Sequence, residues 1–270
     1  MLTDTHCHLD FNQFDTDRLQ IIDRAQRVKI ERLLNPGIDI ISSLKAKNLA
    51  DKHEIVYAAI GVHPNNAKSW TDETASQLIE MAKDDKVVAI GEIGLDYFHD
   101  AAPRNLQVRI FEEQLLVASK MNLPVVIHTR NKNHEDKKAI EDALEILSKW
   151  VANIPNENGK LKENPGVLHS FSSDENFAEL AAKYNFAVGI TGPITYKKNE
   201  PMKTVVQNMN IEYILVETDA PFLTPHPFRG KRNEPAFVNY VVEKIAEIRK
   251  MSYDLVSEIT TNNAKRIFNW

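Results

Sequence analysis

Short runs of apolar residues, rich in valine and isoleucine, recur along the whole chain, and this recurrence restricts its fold more than any other feature. Each run ends in a polar residue or glycine and is followed by a stretch whose apolar residues have helical spacing. The eight runs are Leu2–His8, Val28–Asn35, Ile55–Val62, Val87–Glu92, Pro124–His128, Gly166–His169, Phe186–Ile190 and Tyr213–Glu217. Strands that alternate with helices form parallel β–α–β units. The pattern therefore predicts an α/β protein with a parallel sheet.

The number of these units, taken with the chain length, predicts one closed barrel. The helical stretches are Asp17–Val28, Ser42–His53, Asp72–Lys83, Leu106–Asn122, Glu135–Val151, Asp174–Tyr184, Met202–Met209, Ala236–Lys250 and Tyr253–Phe268. Eight units in 270 residues are typical of a (β/α)8 TIM barrel, with an open, doubly wound sheet as the alternative. Asn153–Pro165 is rich in Asn, Lys, Glu and Pro, and we interpret it as a mobile loop insertion. We expect one domain over residues 1–270.

The composition limits the classes of protein to which the chain can belong. The formal net charge is −5 and the pI is about 6.0, so a polyanion would need a local positive patch or metal ions. No apolar run is long enough to cross a bilayer, which predicts no membrane partner. One cysteine excludes an internal disulfide, and a secretory signal is not visible. We expect a cytoplasmic protein and consider a monomer reasonable, although the sequence leaves the oligomeric state open.

Two histidines, His6 and His8, lie near the start of the chain with Cys7 between them. On a strand this spacing places both imidazoles on one face, where they can reach one cation, and turns Cys7 to the opposite face. Cys7 is then a small apolar residue rather than a third ligand. Taken alone, the histidine pair is equally compatible with a metal site and with two hydrogen-bonded histidines in a polar cleft.

Histidine or a carboxylate also marks the C-terminal ends of other predicted strands. These residues are Glu92 on the fourth strand, His128 on the fifth, His169 on the sixth and Asp219 just past the eighth. In a TIM barrel these ends converge at one rim, so the four side chains are expected to join His6 and His8. Six such groups are unreasonable as core filling but suit two divalent cations that share a bridging carboxylate.

Several short motifs give the chain a close resemblance to a known family. They are Thr3–Leu9 (TDTHCHL), Gly61–Pro64 (GVHP), Gly91–Asp96 (GEIGLD), Pro124–Arg130 (PVVIHTR), His169–Phe171 (HSF), Glu217–Leu223 (ETDAPFL) and Pro227–Pro235 (PFRGKRNEP). The chain resembles the TatD-type DNases, metal-dependent hydrolases related to amidohydrolases, essentially from end to end. The resemblance implies a TIM barrel, a dinuclear divalent-metal site and hydrolysis of nucleic-acid phosphodiester bonds.

The resemblance also implies how the ligands are divided. By position, one metal would be held by His6, His8, Glu92 and Asp219, and the other by Glu92, His128 and His169. Glu92 is placed to bridge cations about 3.5–4 Å apart, and Asp219 is predicted to act also as the general base. Mixed histidine and carboxylate ligation suits Mg²⁺, Mn²⁺ or Zn²⁺, so the metal stays open. Where family members commonly have Asp after the His-x-Arg motif, this chain has Asn131, Lys132 and Asn133, which affects the expected substrate preference.

Cations in the loops after the strands are candidates for binding phosphate groups. They are Arg104, Arg130, Lys132, Lys197, Lys198, Arg229, Lys231 and Arg232. From these we select Arg130, Arg229 and Arg232 as substrate contacts, with a solvated charged surface as the alternative. His63 is expected to bind substrate or to brace the site.

Other histidines and aromatic residues near the motifs have less definite roles. His226 is expected to be a plain loop residue, with a phosphate contact as the alternative. Tyr97 and Phe98 are expected to pack in the core or at the rim, with stacking on bases as the alternative. His53, His99 and His134 are expected at the surface.

The sequence therefore predicts a metal-dependent hydrolase that cleaves DNA by attack of an activated water on phosphorus. A 3′–5′ exonuclease is one form that this activity can take, and the sequence leaves the polarity of cleavage and the strand preference open. An ester or amide hydrolase, such as an aminoacyl-tRNA deacylase, is the alternative, because the same water can attack a carbonyl. A nucleic-acid-binding protein without catalysis is a third interpretation, against which the six candidate ligands speak. DNA and RNA are not distinguished.

Overall fold

Eight parallel strands form the centre of the protein in a computed structural model that describes residues 1–133 and 135–270. They are β1 Leu2–Asp4, β2 Ile30–Pro36, β3 Val56–Ile60, β4 Val87–Asp96, β5 Val125–Arg130, β6 Gly166–Leu168, β7 Ala187–Ile190 and β8 Ile214–Val216. Each strand pairs with the next one along the chain. Just past the strand ends, Thr5 N–H donates to the Val216 carbonyl at 3.2 Å and joins the last strand to the first. The predicted (β/α)8 TIM barrel is confirmed, and the open sheet is wrong.

Helices surround the barrel and close one end of it. They are α1 Arg18–Arg27, α2 Ile40–Lys52, α3 Thr74–Met81, α4 Arg104–Met121, α5 Lys138–Asn153, α6 Gly159–Glu163, α7 Glu175–Lys183, α8 Glu200–Asn208, α9 Val238–Arg249 and α10 Tyr253–Phe268. One set of alternate strand residues, which includes Leu33 and Ile127, packs against the helices. The other set, which includes Leu34 and Val126, fills the interior with the end of α10 at the N-terminal side. The C-terminal ends of the strands form the open end of the barrel.

The structure differs from the prediction at three strand or loop boundaries. β1 ends at Asp4, so His6 and His8 lie just past the strand rather than within it. β4 continues to Asp96 instead of ending at Glu92. The segment that we interpreted as a mobile loop contains α6, and it packs on the barrel through the buried Leu161.

The prediction for Cys7 agrees with the structure, whereas that for His134 cannot be compared with it. Cys7 is fully buried and forms a parallel bridge with Ala220, as expected of a small apolar residue that points away from the site. The bridge explains why His6 and His8 still converge beyond the end of β1, since the segment stays paired there. The expected surface position of His134 lies outside the described residues.

Candidate metal centre

His6 and His8 converge at the open end of the barrel. Their Nε2 atoms lie 3.2 Å apart, and both side chains are buried. Asp4 supports this geometry, because its Oδ1 accepts the His6 backbone N–H at 3.2 Å while its Oδ2 accepts the Thr218 hydroxyl at 2.6 Å. Burial raises the pKa of Asp4 to about 8. The segment with the two histidines is thereby tied to the segment that carries Asp219.

Glu92 lies between two groups of imidazoles. Its Oε2 is 3.4 Å from His6 Nε2 and 3.8 Å from His8 Nε2. Its Oε1 is 2.9 Å from His128 Nδ1 and 3.8 Å from His169 Nε2. Although burial opposes ionisation, the surrounding histidines, His6 first, hold the pKa of Glu92 well below its usual value. Each oxygen of this anionic carboxylate faces its own set of nitrogen donors, as a bridging ligand must.

Asp219 completes the group around His6 and His8. Its Oδ1 lies 3.8 Å from His6 Nε2, 3.6 Å from His8 Nε2 and 3.8 Å from His169 Nε2. Its backbone N–H donates to the His6 carbonyl at 2.8 Å, and this hydrogen bond fixes the position of Asp219 along the barrel axis. Its side chain is 15% exposed, against 4% for Glu92, so solvent reaches it more easily.

Glu217 orients His169. Its Oε1 lies 2.9 Å from His169 Nδ1 and accepts the Ser170 backbone N–H at 2.5 Å. Gly189 makes room for this carboxylate, because a Cβ there would lie 2.3 Å from Glu217 Oε2. Against burial, which lowers it, the negative charges of Glu217 and then Glu92 raise the pKa of His169 to about 10. Nε2 of His169 is left to face Glu92 and Asp219.

Asp96 holds the far side of His128. Its Oδ2 lies 3.2 Å from His128 Nε2 and 2.7 Å from His99 Nδ1, and it accepts the Asn65 side-chain N–H at 3.1 Å. The register of the sheet produces this contact, since Asp96 on β4 pairs with Arg130 on β5, beside His128. His99 is 44% exposed, as expected of a surface residue, but its contact with Asp96 was missed.

His63 has a fixed tautomer. Its Nδ1 accepts the backbone N–H of Asn65 at 3.1 Å, where the chain enters a short 3-10 helix. The accepting nitrogen carries no proton, so in the neutral ring Nε2, which is 3.6 Å from Glu92 Oε1, carries it. Burial, followed by the charge of His128, lowers the pKa of His63 to about 3. This arrangement suits His63 to donate a hydrogen bond toward the site.

The donor set fits divalent cations. Three overlapping groups each bring single ligand atoms within 4.8 Å of one another: His6, His8 and Glu92; His63, Glu92 and His128; and His6, His169 and Glu217. Imidazole nitrogens together with carboxylate oxygens are ligands of Zn²⁺ and Mn²⁺, and carboxylates also bind Mg²⁺. Within the described residues, Nδ1 of His169 makes an ion-pair contact with Glu217 without hydrogen-bond geometry, and Nδ1 of His6 and of His8 has no hydrogen-bond partner. Hydrogen bonds alone thus do not account for the orientation of these two rings.

The three predicted substrate arginines each lie over an aromatic ring, and for two of them this ring is the main contact. The guanidinium carbon of Arg130 lies 4.2 Å from the centre of the Phe98 ring, and that of Arg229 lies 4.5 Å from the centre of the Tyr196 ring. Arg130 ends β5, and Arg229 belongs to the loop that follows Asp219. Stacking holds each guanidinium plane while its N–H groups can still donate to an anion.

The guanidinium carbon of Arg232 lies 4.9 Å from the centre of the Phe14 ring, but, among the described residues, its N–H groups already have partners in the protein, unlike those of the other two arginines. Its NH1 donates to Asp17 Oδ1 at 2.9 Å and to the Gln13 carbonyl, and its NH2 donates to Asp17 Oδ2 at 2.6 Å. The structure therefore engages this guanidinium within the protein rather than leaving it for substrate. His226 is exposed, and its backbone N–H donates to the Thr195 hydroxyl at 2.8 Å, as suits a loop residue.

Comparison with known proteins identifies the family. A family model described as TatD related DNase matches residues 3–269. The uncharacterized metal-dependent hydrolase YabD of Bacillus subtilis (strain 168) is 41% identical over 268 residues, which cover 99% of each chain. The 3′-5′ ssDNA/RNA exonuclease TatD of Rahnella sp. (strain Y9602) is 31% identical over 97% of this chain and 95% of its own. The crystal structure of YjjV, a TatD homolog from Escherichia coli K12, matches with a TM-score of 0.89 and 29% identity over 100% of this chain and 98% of its own. The chain therefore belongs to the family of TatD-related DNases.

Proposed function

We propose that the protein is a metal-dependent nuclease that hydrolyses phosphodiester bonds of DNA and removes nucleotides from the 3′ end. The position of Glu92, whose two oxygens face separate sets of imidazoles, carries this proposal. Two neighbouring cations are well suited to a phosphodiester, because negative charge develops on several of its oxygens during hydrolysis. The relatives described above as a metal-dependent hydrolase and a 3′-5′ ssDNA/RNA exonuclease support the same class of reaction.

The proposed centre holds two divalent cations, which are Mg²⁺, Mn²⁺ or Zn²⁺. One is held by His6, His8, Glu92 and Asp219, and the other by Glu92, His128 and His169. When bound, such cations supply Lewis-acid activation of water and neutralise charge on the phosphoryl group. Glu92 offers one oxygen to each group, while Asp96 and Glu217 orient the rings of His128 and His169.

The remaining side chains handle protons and phosphate groups. Asp219 is the proposed general base, since it is the carboxylate of the centre with the best access to solvent. His63 donates its Nε2–H to a phosphoryl oxygen, in line with its fixed tautomer. Arg130 and Arg229 bind phosphate groups of the nucleic-acid strand. Arg232 would first have to leave Asp17, so its predicted contact ranks below the other two.

The other predictions stand beside this proposal. An ester or amide hydrolase, such as an aminoacyl-tRNA deacylase, is the alternative, but no relative named above is described in that way. A single domain, a monomer and a cytoplasmic location stay predictions. Among residues 1–133 and 135–270, no helix combines the length and the apolarity that crossing a bilayer demands.

Glu217→Gln is expected to weaken metal binding by about 10- to 100-fold. A neutral glutamine removes the negative charge beside His169 Nδ1 and presents either an oxygen or an NH₂ group there, so the ring loses its fixed orientation. Isothermal titration of metal-free protein with Zn²⁺ or Mn²⁺ measures the effect. Glu258→Gln on the exposed face of α10 is the matched control. Wild-type affinity in a folded Glu217→Gln protein would contradict the orienting role.

Metal removal tests the proposed reaction directly. Chelator-treated protein is expected to lose cleavage of 5′-labelled single-stranded DNA, and added Mg²⁺, Mn²⁺ or Zn²⁺ is expected to restore it. Product ladders that shorten from the 3′ end would support exonuclease activity, and parallel reactions with RNA, duplex DNA and an aminoacyl ester compare the substrate classes. If all three metals fail to restore phosphodiester cleavage while the ester is hydrolysed, the deacylase replaces the nuclease as the better proposal.

A further inference from the structure

Two aromatic side chains are unusually exposed at the rim of the candidate metal centre. Among the described residues, eight large hydrophobic side chains are exposed, and Phe98 and Phe222 are the aromatic ones, at 51% and 46%. Both follow strands that lead to proposed ligands: Phe98 comes two residues after β4, and Phe222 comes three residues after Asp219. Exposed apolar groups gathered at a polar site are typical of ligand contact.

The backbone around Phe222 holds the ring in its exposed position. The Phe222 N–H donates to the Asp219 carbonyl at 2.8 Å, and its carbonyl accepts the Asn233 side-chain N–H at 2.6 Å. Asn233 is fully buried and also donates to the Thr218 carbonyl at 2.9 Å. Because both sides of the residue are anchored, little conformational freedom is lost when a ligand contacts the ring.

The Phe222 side chain lies beside aromatic rings of the candidate metal centre. Its centroid is 6.4 Å from the His8 ring and 6.1 Å from the Phe11 ring, with interplanar angles of 69° and 76°. Phe11 itself stacks on His8 at 4.4 Å. The rings of Phe222 and Phe11 are therefore nearly perpendicular, and the Phe11 ring covers His8, a proposed metal ligand.

Another phenylalanine in the same loop shows the contrast. Phe228 stacks on Phe237 at 4.7 Å and meets Tyr240 edge-on at 5.4 Å, so protein rings occupy its surroundings. In the described part of the chain, Phe222 has only the more distant edge-on rings of His8 and Phe11 and no ring stacked on it, and almost half of its surface stays exposed. Ordinary packing explains Phe228 and leaves Phe222 unexplained.

We propose that Phe222, with Phe11 at its edge, is a stacking subsite for a nucleobase next to the phosphate that is cleaved. This inference rests on the proposed nuclease function and narrows its substrate to single strands. A base in a duplex is already stacked on both faces, whereas an unpaired base offers a free face to an aromatic ring. Stacking is tolerant of sequence, because every base has such a face. The subsite thus selects unpaired ends without selecting a base.

Abasic substrates test the subsite. A tetrahydrofuran abasic residue is placed in turn at each of the last three positions of a 5′-labelled single-stranded oligonucleotide, and kcat/KM is compared with that of the complete strand. At one of these positions, kcat/KM of the wild-type protein is expected to be about 5- to 150-fold higher for the complete strand than for the abasic strand. In Phe222→Ala and in Phe222→Leu, which keeps apolar bulk, this ratio is expected to fall toward one. Phe222→Tyr should retain it, as should the control Leu116→Ala on the exposed face of α4.

The ratio of kcat/KM for the complete strand to kcat/KM for the abasic strand tests the stacking subsite independently of the nuclease reaction. If Phe222→Ala and Phe222→Leu keep the wild-type ratio, or if wild-type protein does not distinguish the abasic strands, the stacking subsite is overturned while the nuclease proposal stands. If wild-type protein with added metal cleaves neither complete nor abasic strands, the proposed function fails and the inference fails with it.

Discussion

Glu92→Gln is expected to reduce the metal content from the proposed two divalent ions per chain to one or none, and to remove nearly all nuclease activity. Glutamine keeps the size of the side chain but offers one neutral oxygen and an NH₂ group, so it cannot serve cations on both sides. Its NH₂ group would also face either His6 Nε2 or His128 Nδ1, where Glu92 now presents oxygen. Loss of several kcal/mol of charge stabilisation corresponds to a decrease in kcat of about 10³-fold or more.

Metal content is measured by plasma mass spectrometry after dialysis against Zn²⁺ or Mn²⁺, and activity is measured on the same samples. Glu112→Gln, an exposed substitution on α4, is the matched control and should keep two ions and full activity. Thermal unfolding of each metal-free protein shows whether the barrel is intact. Two ions retained at wild-type affinity in Glu92→Gln would contradict the bridging role.

The barrel and the convergence of the six candidate ligands could be predicted because both follow from repeated, local signals. A short apolar run indicates each strand, and the rim of the barrel lies where these runs end. His128 and His169 could therefore be placed beside Glu92 without knowledge of a single tertiary contact. The His6 and His8 pair converges even though β1 is shorter than predicted, because the bridge of Cys7 to Ala220 extends the pairing.

The residues that contact the candidate ligands from behind could not be predicted in the same way. Asp96 reaches His128 only because β4 continues beyond Glu92, and this depends on Gly94, where a Cβ would lie 2.1 Å from the His128 carbonyl oxygen. Glu217 was predicted only as the end of a strand, although its place two residues before Asp219 was a usable signal. The partners of these carboxylates lie far away in sequence, and register rather than local pattern brings them together.

Asp219→Asn is expected to lower kcat by about 10²- to 10⁴-fold at saturating metal, the range associated with loss of a general base. The amide keeps an oxygen as a potential ligand but cannot accept a proton at neutral pH, so catalysis should suffer more than metal content. This separates Asp219 from Glu92, whose replacement should remove metal and activity together. The backbone contact from Asp219 N–H to the His6 carbonyl does not involve the side chain, so the rim should keep its shape.

Single-turnover cleavage of labelled single-stranded DNA, with metal content measured in parallel, distinguishes the two roles of this carboxylate. Asp72→Asn, an exposed substitution between β3 and α3, is the matched control and should behave as wild type. A large loss of rate with metal retained identifies Asp219 as the base, whereas equal loss of both identifies it as a ligand alone. Full metal-dependent turnover in Asp219→Asn would move the base elsewhere. His63 is poorly suited to that place, because its Nδ1 accepts the Asn65 backbone N–H and is not free to take a proton from water.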